Sequence, residues 1–118
     1  MAINIFWHAL TSAEIDRLVA KKPGAYILSR GKDAAGNPVA HYVGRSDDDV
    51  NRRLHEWERT GRYQMFAFRN EDTSRRAYEV ECIWWHELQP ADNQIHPAAP
   101  AGTGWPCPVK GCSFYRAA

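Results

Sequence analysis

The sequence predicts an α+β domain in which helices flank a small three-stranded antiparallel sheet. Three observations carry this. Apolar residues recur at helical spacing in three segments, two short β-type runs are joined by a polar turn containing glycine, and a third β-type run separates the last two helices. The order helix, strand, strand, helix, strand, helix then leaves a sheet to be covered by helices. With 118 residues, 44% of them hydrophobic and five Trp, the chain has the material for one core and one domain.

Taken in order, Ala2 to Ala9 is apolar and reads as a short strand or a packed arm. Thr11-Ser12 caps a first helix, with Glu14 three residues after Thr11 as in a capping box, and Pro23-Gly24 ends it. Ala25–Ser29 and Val39–Gly44 read as the two strands of a hairpin around the turn Lys32–Pro38. Asp47-Asp48-Asp49 then places carboxylates at the positive end of a second helix, whose stripe is Val50, Leu54 and Trp57 and whose stop is Gly61. Tyr63–Arg69 is the third strand. Asp72-Thr73-Ser74 caps a third helix running to Leu88, ahead of Pro90. From Asn93 onward the chain is rich in Pro, Ala and Gly and reads as a tail wrapped on the surface.

Lys+Arg and Asp+Glu stand at 15 against 14, for a formal net charge of +1. Affinity for nucleic acid rests largely on neutralising phosphates, so any grip on DNA by this chain alone is expected to be weak. No stretch is apolar enough to cross a bilayer, and the segment MAINIFWHALTSAEID has no basic leader before an apolar run. An odd number of cysteines argues against a disulfide framework, so a cytoplasmic setting with reduced thiols is expected.

Four side chains stand out chemically. Glu81 shares a helix face with Ala77, Trp84 and Leu88, and a carboxylate in an apolar stripe needs a cation, a metal or donors. An ion pair with Arg75 or Arg53 would satisfy it equally well. Arg53 at the rim of the second helix's stripe is either a surface arginine or a bidentate phosphate ligand. Tyr26 and Tyr42 stand on paired strands, where a tyrosine is ordinarily a core residue.

The strings Gly24-Ala25-Tyr26 and Tyr42-Val43-Gly44 together resemble the paired signature of the GIY-YIG nuclease superfamily. Val50-Asn51-Arg52-Arg53-Leu54, Ala77-Tyr78-Glu79-Val80-Glu81, and Pro90 with Asn93 extend the likeness over residues 24–93. Residues 1–22 are then a helical extension and 94–118 a Pro/Gly/Cys-containing tail on a single domain. The resemblance implies a divalent-metal-dependent endonuclease acting on DNA. Glu81 would hold one Mg²⁺ or Mn²⁺ ion, Tyr42 and Tyr26 would orient or deprotonate the attacking water, and Arg53 would stabilise charge on phosphorus. Asn93 would fix the site, while Gly44, Arg45 and Arg52 would lie near the phosphate. Trp57 stands where relatives carry a Tyr or His, and Arg52 rivals Arg53. A catalytically silent module that binds nucleic acid or protein is therefore the alternative. A homodimer or a partner protein would supply specificity, or the chain would cleave with little of it. A third reading is an interaction domain outside the family, with both tyrosine hydroxyls far from Glu81. In the tail, Cys107 and Cys112 with the distant His96 fall short of a zinc set and read as two thiols in a compact turn.

Overall fold

A computed structural model describes residues 5–112. The first residues of the apolar segment from Ala2, and the end of the tail, lie outside them. The described chain is α+β, with three helices and a sheet of four antiparallel strands.

The first helix, α1 (Ser12–Leu18), begins where the extended Thr11 accepts the Glu14 N–H with its hydroxyl at 3.2 Å. The reciprocal half of the capping box does not form, because the Glu14 carboxylate pairs with the Arg17 guanidinium at 2.8 and 3.0 Å. The helix also stops well before Pro23. The Asn70 side chain takes both the N–H and the C=O of Ala20 at 3.0 Å, which satisfies the backbone in an extended path.

Strand β2 (Gly24–Ser29) is buried at all six residues and lies at the centre of the sheet. Its partner β3 (Tyr42–Ser46) sits later than the expected Val39–Gly44. Val39 and His41 donate to the carbonyls of Gly31 and Leu28 at 3.0 and 2.9 Å, but residues 39–41 stay outside the regular ladder. The register sets Tyr26 opposite Gly44 and Leu28 opposite Tyr42. The second helix, α2 (Val50–Thr60), starts at Asp49, whose carboxylate accepts the Arg52 N–H at 2.9 Å, and ends at Gly61 with φ 68°. Strand β4 (Met65–Asn70) pairs with β2, and α3 (Ser74–Leu88) follows its Thr73 cap.

The expected sheet of three strands is corrected to four. His8–Ala9, the earliest strand (β1), pairs with Phe66 and Met65 and gives the order β1-β4-β2-β3. Two residues are too few for an alternating pattern to be read. The pairing covers a row of N–H and C=O groups that β4 would otherwise expose.

The sheet is the middle of three layers. Ile15, Val50, Leu54, Tyr26 and Phe66 pack between α1, α2 and one face, while Ile27, Val43 and Ala67 meet Trp84, Trp85 and Leu88 of α3 on the other. Gly24 is hemmed in by the neighbouring strand β4 and by α2. A Cβ there would lie 2.5 Å from the Arg69 carbonyl oxygen and 3.0 Å from Val50. Gly24→Ala is accordingly predicted to destabilise the fold by about 1–3 kcal/mol, since the obstacle is backbone. Chemical denaturation would check this, and an unchanged midpoint would contradict it.

Candidate active site

One polar cleft of about 590 Å³ gathers most of the residues that the sequence singles out. It is lined by Tyr26, Tyr42, Gly44, Arg45, Arg53 and Glu81, together with Ser46, Asp47, Asp48 and Arg52. The topology explains the convergence. Because β3 is an edge strand, groups from both faces can meet around it. Tyr26, Tyr42 and Arg53 approach from the α2 side, Arg45 and Glu81 from the α3 side.

Tyr26 is 1% exposed, and its hydroxyl crosses Gly44 so closely that a Cβ there would lie 2.5 Å from it. That hydroxyl accepts the indole N–H of Trp57 at 2.7 Å. The Tyr42 ring stacks near it, with centroids 6.3 Å apart, and also leans on Trp57 at 4.8 Å. Burial pushes the pKa of both phenols up, with the Trp57 bond opposing it at Tyr26 and the Glu81 charge reinforcing it at Tyr42. Neither phenol ionises unaided near neutral pH. Tyr26, Tyr42 and Glu81 line the same cleft.

Glu81 is buried on α3, and its Oε1 accepts from Arg45 Nη1 at 2.8 Å. The partner is thus Arg45 rather than the expected Arg75 or Arg53. Arg75 pairs instead with Glu79 at 3.7 Å. Arg45 also donates through Nε to Asp47 at 2.8 Å and lies over the Tyr78 ring at 5.1 Å. Among the described residues Oε2 of Glu81 has no hydrogen-bond partner. Burial raises the Glu81 pKa, against the opposing pull of the guanidinium.

Arg53 supplies an unmet donor. Its Nε stands 3.1 Å from Glu56, close enough for an ion pair but off the N–H direction, so it is buried without a hydrogen bond. Arg52 is more exposed and reaches Asp48 at 3.4 Å. Both candidate arginines line the cleft. Three arginines (45, 52 and 53) face three acids (47, 48 and 81), so the lining charges sum to zero. His55 points to α1, bonded to Asp16 at 2.8 Å.

Asn93 is not among the cleft-lining residues. Its amide accepts from the Val43 N–H at 3.2 Å and donates to the Val43 C=O at 2.6 Å, covering the free edge of β3. It is a positioning residue, one strand residue away from both Tyr42 and Gly44.

Sequence reasoning missed a second cluster. His86, absent from the sequence-based candidates, stands with His96, Cys107 and Cys112, and their ligand atoms lie within 4.8 Å of one another. His96 is therefore not distant from the thiols in space. The signal in the sequence was weak, because nine residues separate the histidines where paired zinc ligands usually stand closer.

Asn93→Ala strips both Val43 backbone groups of their partners. We predict a stability loss of about 1–3 kcal/mol and faster amide exchange at Val43. Hydrogen exchange that is unchanged along β3 would contradict this role. No family model, curated protein or solved structure matches the chain.

Proposed function

We propose that the chain is a metal-dependent endonuclease of the GIY-YIG type, hydrolysing DNA phosphodiester bonds with one Mg²⁺ or Mn²⁺ ion. The observation that carries this reading is the meeting of Tyr26, Tyr42, Arg53 and Glu81 in one polar cleft, each brought by a different element.

The carboxylate fits a hard cation of this kind. Mg²⁺ typically takes one or two carboxylates, with waters and phosphate oxygens completing its shell, and one Glu81 oxygen has no hydrogen-bond partner among the described residues. Bound there, such an ion would neutralise charge on the scissile phosphate and hold its leaving oxygen. Arg53 lines the cleft, where its guanidinium would donate to a phosphate oxygen as charge grows during attack of water on phosphorus. The tyrosine hydroxyls orient that water as neutral hydrogen-bonding groups. Tyr26 already accepts from Trp57, which leaves its own proton to donate. Arg45 holds Glu81 in the free chain and keeps Asp47 as its partner when the carboxylate turns to the cation.

The balanced charge of the cleft fits weak DNA binding by the chain alone, with a homodimer or partner protein adding specificity. No helix among the described residues is long and apolar enough to cross a membrane, and three free thiols fit a cytoplasmic setting. A second reading, a silent module that binds nucleic acid or protein, is favoured by the Arg45–Glu81 bond and by Trp57 in place of a proton carrier.

Plasmid cleavage with Mn²⁺ separates the two. The wild-type chain should nick DNA, Glu81→Ala should abolish nicking, and Arg53→Ala should slow it by about 10²–10³-fold. Equal cleavage by all three, or none by any, sinks the enzymatic reading. The pH profile has a defined sign. Glu81 must be ionised to bind the cation, and its raised pKa keeps it protonated to higher pH than an ordinary glutamate. Activity should therefore fall on acidification while pH is still above the usual range of about 4.3.

A further inference from the structure

The four side chains at the junction of α3 and the tail have the composition and spacing of a metal centre. Cys107 Sγ lies 3.6 Å from His86 Nε2, and Cys112 Sγ lies 3.4 Å from His96 Nε2. Zn²⁺ bonds of about 2.3 Å to sulfur and 2.0–2.1 Å to nitrogen, at tetrahedral angles, set S···N separations of about 3.5 Å. Both observed pairs fall at that distance, and all six separations stay within 4.8 Å.

The surroundings support ligation independently of these distances. The Nδ1 of His96 lies 2.7 Å from the Pro97 carbonyl, which can only accept, so the proton sits on Nδ1. That leaves the Nε2 lone pair directed at the cluster, as outer partners of metal-bound histidines do. The sulfur of Cys107, fully buried, receives the Val109 N–H at 3.5 Å. Gly111, at φ 90°, turns the chain so that Cys112 returns toward Cys107 after four residues. Two thiolates and two neutral imidazoles would balance a divalent charge in a partly buried place. A hollow of about 360 Å³ that includes His86 in its wall gives a route in.

We propose that His86, His96, Cys107 and Cys112 bind one structural Zn²⁺ that fastens the tail to α3. A tetrahedral set of two sulfurs and two nitrogens suits Zn²⁺ and has no use for Mg²⁺. With all four positions filled by protein, the centre holds the chain together rather than acting on a substrate. Its mechanical role follows from the sequence between ligands. The chain after Leu88 carries no helix or strand among the described residues, yet it contains Asn93, which clamps β3 beside the cleft. Ligation on both sides, at His86 and His96, fixes that segment. The site stands whether or not the chain cleaves DNA.

The test is zinc content of the full chain, purified under reducing conditions and reconstituted with Zn²⁺, followed by Co²⁺ exchange. We expect one zinc per chain, and tetrahedral Co²⁺ absorption with a thiolate charge-transfer band. Cys112→Ser and His86→Gln should each lose bound zinc or shift that spectrum, while Glu81→Ala keeps both. The Co²⁺ spectrum of the wild-type chain reports thiolate ligation even if a variant fails to fold. A wild-type chain that takes no zinc, a Cys107–Cys112 disulfide in its place, or an unchanged metal spectrum in Cys112→Ser would overturn the proposal.

Discussion

The passage of the Tyr26 side chain over Gly44 organises the side of the sheet that faces α2. The phenol has no room for a side chain beneath its hydroxyl, and that hydroxyl is anchored by the Trp57 indole. Strand β3 and helix α2 are thereby fixed to the same atom. Val50 and Leu54, both wholly buried, then hold the rest of α2 to the sheet. Arg53, between Leu54 and the helix rim, is carried to the mouth of the cleft. Substituting either partner of this contact disturbs strand, helix and cleft at once.

The other side of the cleft depends on a charge balance. Arg45 and Glu81 have side chains only 13% and 9% exposed, joined at 2.8 Å. Such pairs contribute little net stability, because desolvation offsets attraction, but losing one partner costs about 3–5 kcal/mol by stranding the other. When ionised, Glu81 therefore needs a positive partner. In the free chain that partner is Arg45; in the proposed enzyme it becomes the divalent ion, while Asp47 retains the guanidinium.

Much of this was legible in the sequence because it rests on local chemistry. The caps Thr11, Asp49 and Thr73, the αL stop at Gly61 and the stripes of α2 and α3 follow from residue type and spacing. The grouping of the two tyrosines, the arginine and the glutamate could be anticipated only from the order of their motifs. What escaped depends on contacts distant in sequence. Strand β1 forms because β4 has an edge to cover, α1 ends early because Asn70 reaches Ala20, and Glu81 chooses Arg45 because β3 is folded beside α3. The His and Cys cluster was hidden for the same reason, its ligands coming from α3 and from three points along an irregular segment.

The most direct measurement is an anomalous difference map from crystals soaked in Mn²⁺. A cation bound to Glu81, with the Tyr26 and Tyr42 hydroxyls facing it and Arg45 released toward Asp47, is the predicted result. Manganese absent from Glu81 at saturating concentration, with the Arg45–Glu81 bond intact, would contradict the account.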